Sequence, residues 1–224
     1  MTIYPIIGII QTDRSVCLLV LPFIPQRIST MSLRERIIHE SLKLFSMKGF
    51  LNTSINDVLE AANTSKGGFY NHFPSKENLF FEVLDEARRI WRERCLFGLD
   101  EVESPIGKIE KLLENYRDRY LKDTDDLPGG CIFVTFSVEL PDQLPHLAKE
   151  VNKGFVGLKN MLKRLLDEGK EQGELRSEVN TNAVTEMLFA GMVGASVIYG
   201  VDKSADSLDR SIKSLINYLE NLKP

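Results

Sequence analysis

The run Thr64-Ser65-Lys66-Gly67-Gly68-Phe69-Tyr70-Asn71-His72-Phe73, closed by Pro74 and followed by Ser75-Lys76-Glu77, constrains this chain more than any other. Ser65 suits an N-cap, its side-chain oxygen accepting from the unpaired amides of a first helical turn. Lys66 and two glycines follow in that turn, which leaves the positive end of a helix without the bulk that would hold a phosphate away. Phe69 and Phe73, four apart, form an apolar stripe that packs against something behind it. Tyr70 and His72 supply donors beyond the first turn. Pro74 stops the helix and Ser75 caps the next, with Lys76 near its positive end. A lysine there opposes the helix dipole, and it makes sense if a phosphate lies in front of it.

What precedes this stretch has the same grammar. A helix from Ser54 to Ala61 is begun by Thr53 or Ser54, carries Ile55, Val58, Leu59 and Ala62 on one side, and closes at Asn63, which tolerates a left-handed turn. Leu33 to Met47 places Ile37, Ile38, Leu42, Leu44 and Phe45 at helical spacing and ends at Lys48-Gly49, with Ser32 as its N-cap. Three short helices in this order read as a helix-turn-helix unit.

These residues resemble the TetR-type (tetracycline-repressor-like) transcriptional regulators. The likeness is carried by Ser41-Leu42-Lys43-Leu44-Phe45 through Gly49-Phe50, then Thr53-Ser54-Ile55, Val58, Ala61-Ala62, Ser65-Lys66-Gly67, Phe69-Tyr70, His72-Phe73 and Ser75-Lys76-Glu77. It spans Leu33 to about Leu84 and thins beyond. Asn63-Thr64 stands where that family usually has Gly-Val, and Gly68 is a departure inside a helix. The resemblance implies DNA contact from Thr53, Ser54, Thr64, Ser65, Lys66, Gly67, Gly68, Tyr70, His72 and Lys76.

Charge agrees only when split along the chain. The whole carries a net charge of −4, yet residues 33–76 hold six Lys/Arg against four Asp/Glu, whereas residues 77–224 hold twenty against twenty-seven. An acidic second half is a poor DNA surface. Cys17, Cys95 and Cys131 show neither disulfide pairing nor metal spacing, which points to a reducing cytoplasm, and no cofactor or metal is expected. Residues 1–31 hold apolar runs broken by Pro5, Pro22 and Pro25, too short to span a membrane. They read as an extension outside the fold, with Met31 in front of the cap at Ser32. The DNA-binding unit is expected at 32–76 and an effector-binding and dimerisation domain at 77–224.

The second domain reads as helical throughout, giving an all-α fold. A linking helix runs from Glu77 to about Phe97, and Ser104-Pro105 opens a helix with Ile106, Ile109, Leu113, Tyr116 and Tyr120 on one face. Ile132 to Leu140, rich in β-formers but with no partner strand, is assigned to a buried helix. Leu147 to Glu171 is one long amphipathic helix. Asn180 to Gly200 is apolar almost all round, and with Ser207 to Leu222 it offers more apolar surface than a monomer's end buries. Homodimerisation through Met192, Gly194, Val197, Leu208, Ile212, Leu215 and Leu219 is the resulting expectation.

Family resemblance further implies a small-molecule effector among the helices before the dimer pair. Tyr116, Tyr120, Cys131, Thr135, Phe136, Phe155, Leu158 and Met187 are the expected lining, better suited to an apolar or aromatic ligand than a highly charged one. Some members with Gly-Cys at the place of Cys131 sense electrophiles. Here Gly200 stands where a basic partner would be, so Cys131 reads as buried and inert. His39 and His146 read as structural. Together these features imply a ligand-responsive repressor on a palindromic operator. The competing class, a helical enzyme or a ligand binder without DNA activity, lacks a clustered nucleophile, base or metal set.

Overall fold

Capping chemistry sets where the N-terminal helices begin. In the computed structural model, which describes residues 31–122 and 124–224, Ser32 caps α1 (Leu33–Lys48) and Glu35 reaches back to the Ser32 amide at 2.8 Å. Ser54 caps α2 (Ile55–Ala61) in the same way, with Asp57 accepting from the Ser54 amide at 2.7 Å. These reciprocal pairs satisfy donors that a helix start leaves open. Asn63 turns the chain at φ 46°, as its short polar side chain permits, and Ser65 caps α3 (Lys66–Tyr70) by accepting from the Gly68 amide at 3.2 Å. Ser75 then caps α4 (Lys76–Cys95).

Seven further segments complete the all-helical fold of the described residues. A 3₁₀ turn at Leu99–Glu101 leads into α5 (Pro105–Asn115), which continues with π-type winding through Tyr116–Leu121. The remaining helices are α6 (Ile132–Glu139), α7 (Pro145–Glu171), α8 (Thr181–Asp202) and α9 (Ala205–Glu220). Ile132–Glu139 is thus helical despite its β-formers, with Leu140 as its C-cap, and no strand is present among the described residues to pair with it. The reading of residues 1–30, and of Cys17 within them, lies outside the described residues.

One apolar core runs through both halves of the chain. Ile37, Leu42, Phe45, Val58, Phe69 and Phe73 are buried in the first, and α4 contributes Leu79, Phe80, Val83 and Leu84 from its opening turns. Phe45, Phe50, Phe80 and Phe136 meet edge-on or tilted, with ring centroids 4.9–6.2 Å apart. Arrangements of this kind add to what burial alone contributes. Phe136 belongs to α6, so this cluster joins the first three helices to the second half.

Two polar contacts lock the same seam. At the C-terminal end of α6 the Glu139 carboxylate accepts from the Phe50 amide at 2.6 Å and the Leu51 amide at 3.1 Å. It thereby caps the turn between α1 and α2. Gly49 there has φ +80°, and a methyl on it would overlap the Glu139 carboxylate. Upstream, the Gly129 amide donates to Ser46 Oγ at 3.2 Å, and a methyl on Gly129 would overlap the Ser46 backbone carbonyl.

A third contact carries a titratable group. His39 of α1 lies 3.0 Å from Glu40 through Nδ1 and 3.4 Å from Asp126 through Nε2. Asp126 also meets Arg94 of α4 at 2.5 Å. The bonds to Asp126 first and Glu40 second outweigh desolvation and push the His39 imidazolium up to about 9 from an ordinary 6.5.

A raised histidine stabilises the fold fully below its unfolded value and loses that contribution as pH rises through the folded one. His39→Gln should therefore flatten the decline in unfolding free energy between about pH 6.5 and 9; urea titrations across that window check it, and an unaltered slope would refute the assignment. Glu139→Ala leaves the part-buried Phe50 amide without its acceptor, and it should lower unfolding free energy by about 1–3 kcal/mol in the same titrations. Wild-type stability would mean the cap at the seam contributes nothing.

Candidate DNA interface and ligand cavity

The turn-helix built around Ser65 presents one side outward and buries the other. Phe69 and Phe73 are buried in the core with their rings 5.7 Å apart, while Ser65, Lys66, Gly67, Asn71 and His72 are exposed and Tyr70 is 50% exposed. A methyl on Gly67 would meet nothing closer than Ser65 Oγ at 3.8 Å. That glycine leaves the outer face of α3 clear. Ser54, at the start of α2, is exposed as well.

Four residues expected on this face turn wholly or partly inward, Thr53 buried and Thr64, Gly68 and Lys76 half-buried. Thr53 is fully buried and donates through Oγ1 to the Gly49 carbonyl at 2.6 Å, so its hydroxyl is spent within the turn. Lys76 folds back: its ammonium donates to the Phe50 carbonyl and lies 4.2 Å from the centre of the Phe50 ring. Desolvation lowers its pKa, against the favourable field of Glu139. Its place in the first turn is explained by that carbonyl and that carboxylate. Gly68 is glycine for an internal reason, since a methyl there would overlap Thr64 Oγ1 and touch Leu33. Thr64 is half-buried, its amide bound to the Leu59 carbonyl at 2.9 Å.

The second half contains a cavity of about 470 Å³ bounded by α4, the π-wound end of α5, α6, α7 and α8. Tyr116, Cys131, Phe155 and Leu158 line it, as the sequence led us to expect. The other four expected residues do not. Tyr120 is buried behind Tyr116, the rings stacked at 5.7 Å, and its hydroxyl donates to Cys131 Sγ at 3.7 Å. Phe136 is committed to the aromatic seam. Thr135 turns its hydroxyl to the Cys131 carbonyl at 3.5 Å. Met187 is 46% exposed on the far side of α8.

Sequence reading missed the wall that α4 supplies. Arg88, Trp91 and Arg92 lie three and four apart on that helix and open onto the cavity together. Gly154 and Gly157 of α7 line it too, and a methyl on either would meet nothing within 4 Å. Glycine inside a helix costs about 1 kcal/mol relative to alanine, so two in one face are a legible sign that space is being kept. Met192, expected at the interface, instead lines the cavity and accepts from the Tyr116 hydroxyl at 3.4 Å through its carbonyl.

The remaining interface expectation divides in the same way. Leu208, Ile212, Leu215 and Leu219 of α9 are buried within the chain, and Leu215 fills the space that Gly191 of α8 leaves for it. They are core. Gly194 is half-exposed with open space in front, and Val197 is 46% exposed. With Met187, Ile198 and Val201 they form an outward apolar stripe along α8. Among the described residues, α8 is the one helix long and apolar enough to cross a bilayer, and its opposite side packs on α7 and α9.

Comparison with known proteins agrees with this architecture. Residues 37–83 match the family described as bacterial regulatory proteins, tetR family, and residues 105–215 match the tetracyclin repressor-like C-terminal domain. The HTH-type transcriptional repressor DhaR of Mycobacterium sp. (strain GP1) is 25% identical over 193 residues, 84% of this chain and 95% of that protein. NemR of Escherichia coli K12, also named a transcriptional repressor, is 24% identical over 195 residues, covering 83% of this chain and 93% of its own. A crystal structure of a TetR transcriptional regulator from Chloroflexus aurantiacus superposes with a TM-score of 0.77 at 28% identity, over 87% of this chain and 96% of that one. With both domains matched in order and the fold shared over nearly the whole of such a relative, the chain belongs to the TetR family of helix-turn-helix DNA-binding transcriptional regulators.

Proposed function

We propose that this regulator is a homodimeric cytoplasmic repressor that leaves a palindromic operator when a small organic molecule enters the cavity. A single observation carries the reading: α4 is shared. Its first turns pack through Leu79, Phe80 and Val83 on the DNA-binding helices, and its last turns wall the cavity through Arg88, Trp91 and Arg92. A ligand that displaces α4 at one end moves α1 and α3 at the other. DhaR and NemR, both named repressors, support repression over activation.

On this reading Ser54, Ser65, Lys66, Gly67, Tyr70 and His72 face the operator, with Lys66 on a phosphate and Tyr70 and His72 reaching further in. Thr64 and Gly68 support that surface from behind. Lys76 and Thr53 hold the turn between α1 and α2. The α8 stripe meets its two-fold mate, burying apolar side chains three and four residues apart as paired helices do.

Lys66→Ala should weaken binding to every DNA sequence and reduce the slope of log K against log salt by about one. Lys76→Ala should leave that slope unchanged and lower stability instead. Fluorescence anisotropy on a fragment of the gene's own promoter, repeated at several salt concentrations, checks both. A normal slope in the Lys66 variant would place α3 off the DNA.

Val197→Arg puts a charge in the middle of the α8 stripe. It should give monomers by light scattering and lose operator affinity together, because one unit makes too few contacts. Footprinting of the wild type should reveal two half-sites with centres ~34–36 Å apart, or a multiple of that. A monomer that still binds tightly would overturn the dimer reading.

A further inference from the structure

The cavity's charges are all of one sign. Its lining includes Arg88, Arg92 and Lys153 and no aspartate or glutamate. Two of these cations are compensated from just outside. Arg88 pairs with Asp85 at 2.8 Å and donates to the Glu150 carbonyl at 2.8 Å, and the Lys153 ammonium lies 2.7 and 2.8 Å from the two Glu150 oxygens. Arg92 is different. Among the described residues its guanidinium has neither a hydrogen bond nor an ion pair, although it stands next to Trp91 at the cavity wall.

Everything deeper is apolar or already engaged. Phe133, Phe155, Leu158, Met161 and Phe189 make the walls. The Tyr116 hydroxyl is given to the Met192 carbonyl, and Cys131 Sγ receives the Tyr120 hydroxyl. The donors left uncommitted there, the Trp91 indole N–H and the Cys131 thiol, are neutral and weak, so the charged partner for a ligand's polar group is Arg92. A guanidinium at the mouth of a low-dielectric cavity attracts anions more strongly than one on an open surface, and its planar fork suits a carboxylate.

We infer that the effector is an amphipathic organic anion, with an apolar chain or ring body among the aromatic walls and one carboxylate-type group on Arg92. This rests on the ligand-response reading above and narrows it to a chemical class. Organic cations of the same size are disfavoured, since the one uncompensated charge at the entrance, Arg92, is positive. Neutral molecules bind through their bodies alone.

Trp91 is the sole tryptophan of the chain and lines the cavity, so its fluorescence reports occupancy. Octanoate, octan-1-ol and octylamine share one apolar body and differ in the head group. Titrated into the full-length protein, octanoate should bind about fivefold or more tighter than octanol, with octylamine weakest. Added salt should erode the difference. Arg92→Gln should bring octanoate to the level of octanol. Octylamine binding as well as octanoate, or an unchanged octanoate preference in Arg92→Gln, would overturn the anion assignment and leave the cavity as a ligand site. A protein that binds operator but shows no Trp91 response to any of the three would overturn both. Octanoate binding that fails to release operator would uphold the ligand class and refute the repressor switch.

Discussion

The carboxylate of Glu139 on the Phe50 and Leu51 amides is the contact on which the arrangement of the molecule depends. It sits where three pieces of chain converge: the turn after α1, the start of α4 and the end of α6. Lys76 completes the set from α4, held by the Phe50 carbonyl and the field of Glu139. A half-buried carboxylate and ammonium that each cap a backbone group are better satisfied than either alone, because neither charge is left unpaired away from water. Beneath them the rings of Phe45, Phe50, Phe80 and Phe136 fill the volume. The polar cap gives direction to an aromatic cluster that would otherwise hold its partners with little regard to angle.

That seam also connects the cavity to the DNA-binding helices. α6 opens at Cys131, beside the cavity, and ends at Glu139, on the DNA-binding turn. α4 makes the same passage on the other side. Two short rigid paths therefore join one cavity to one helix-turn-helix. The polar cluster of His39, Asp126 and Arg94 braces the loop that precedes α6. Movement of that loop is resisted at both of its contacts with α1.

Local signals in the sequence were legible because they act over a turn or two. Ser32, Ser54, Ser65, Ser75, Ser104 and Asn180 each cap the helix their position announces, and Asn63 makes its left-handed turn. Signals that depend on tertiary neighbours were not. Lys76 in a first turn looks like a phosphate ligand until the Phe50 carbonyl, 26 residues away in sequence, is seen to occupy it. Gly67 and Gly68 are adjacent and chemically identical, yet one keeps an outer face clear and the other makes room for Thr64. On α9 the apolar period marks a buried face, but periodicity tells that a face is buried and not by what. α5, the π-wound segment and α8 of the same chain had already taken it.

Gly129 makes the seam intolerant of substitution. Because its backbone rests on the Ser46 carbonyl with no room for a single methyl, residue 129 is shut to gradual drift. Gly154 and Gly157 face open space, where an added methyl would meet nothing within 4 Å. The molecule thus has a frozen joint and an open drawer. Substitutions in α7 can reshape the cavity without touching the joint, while a chimera joining the DNA-binding half to a foreign body must bring Gly129 and Glu139 along with it.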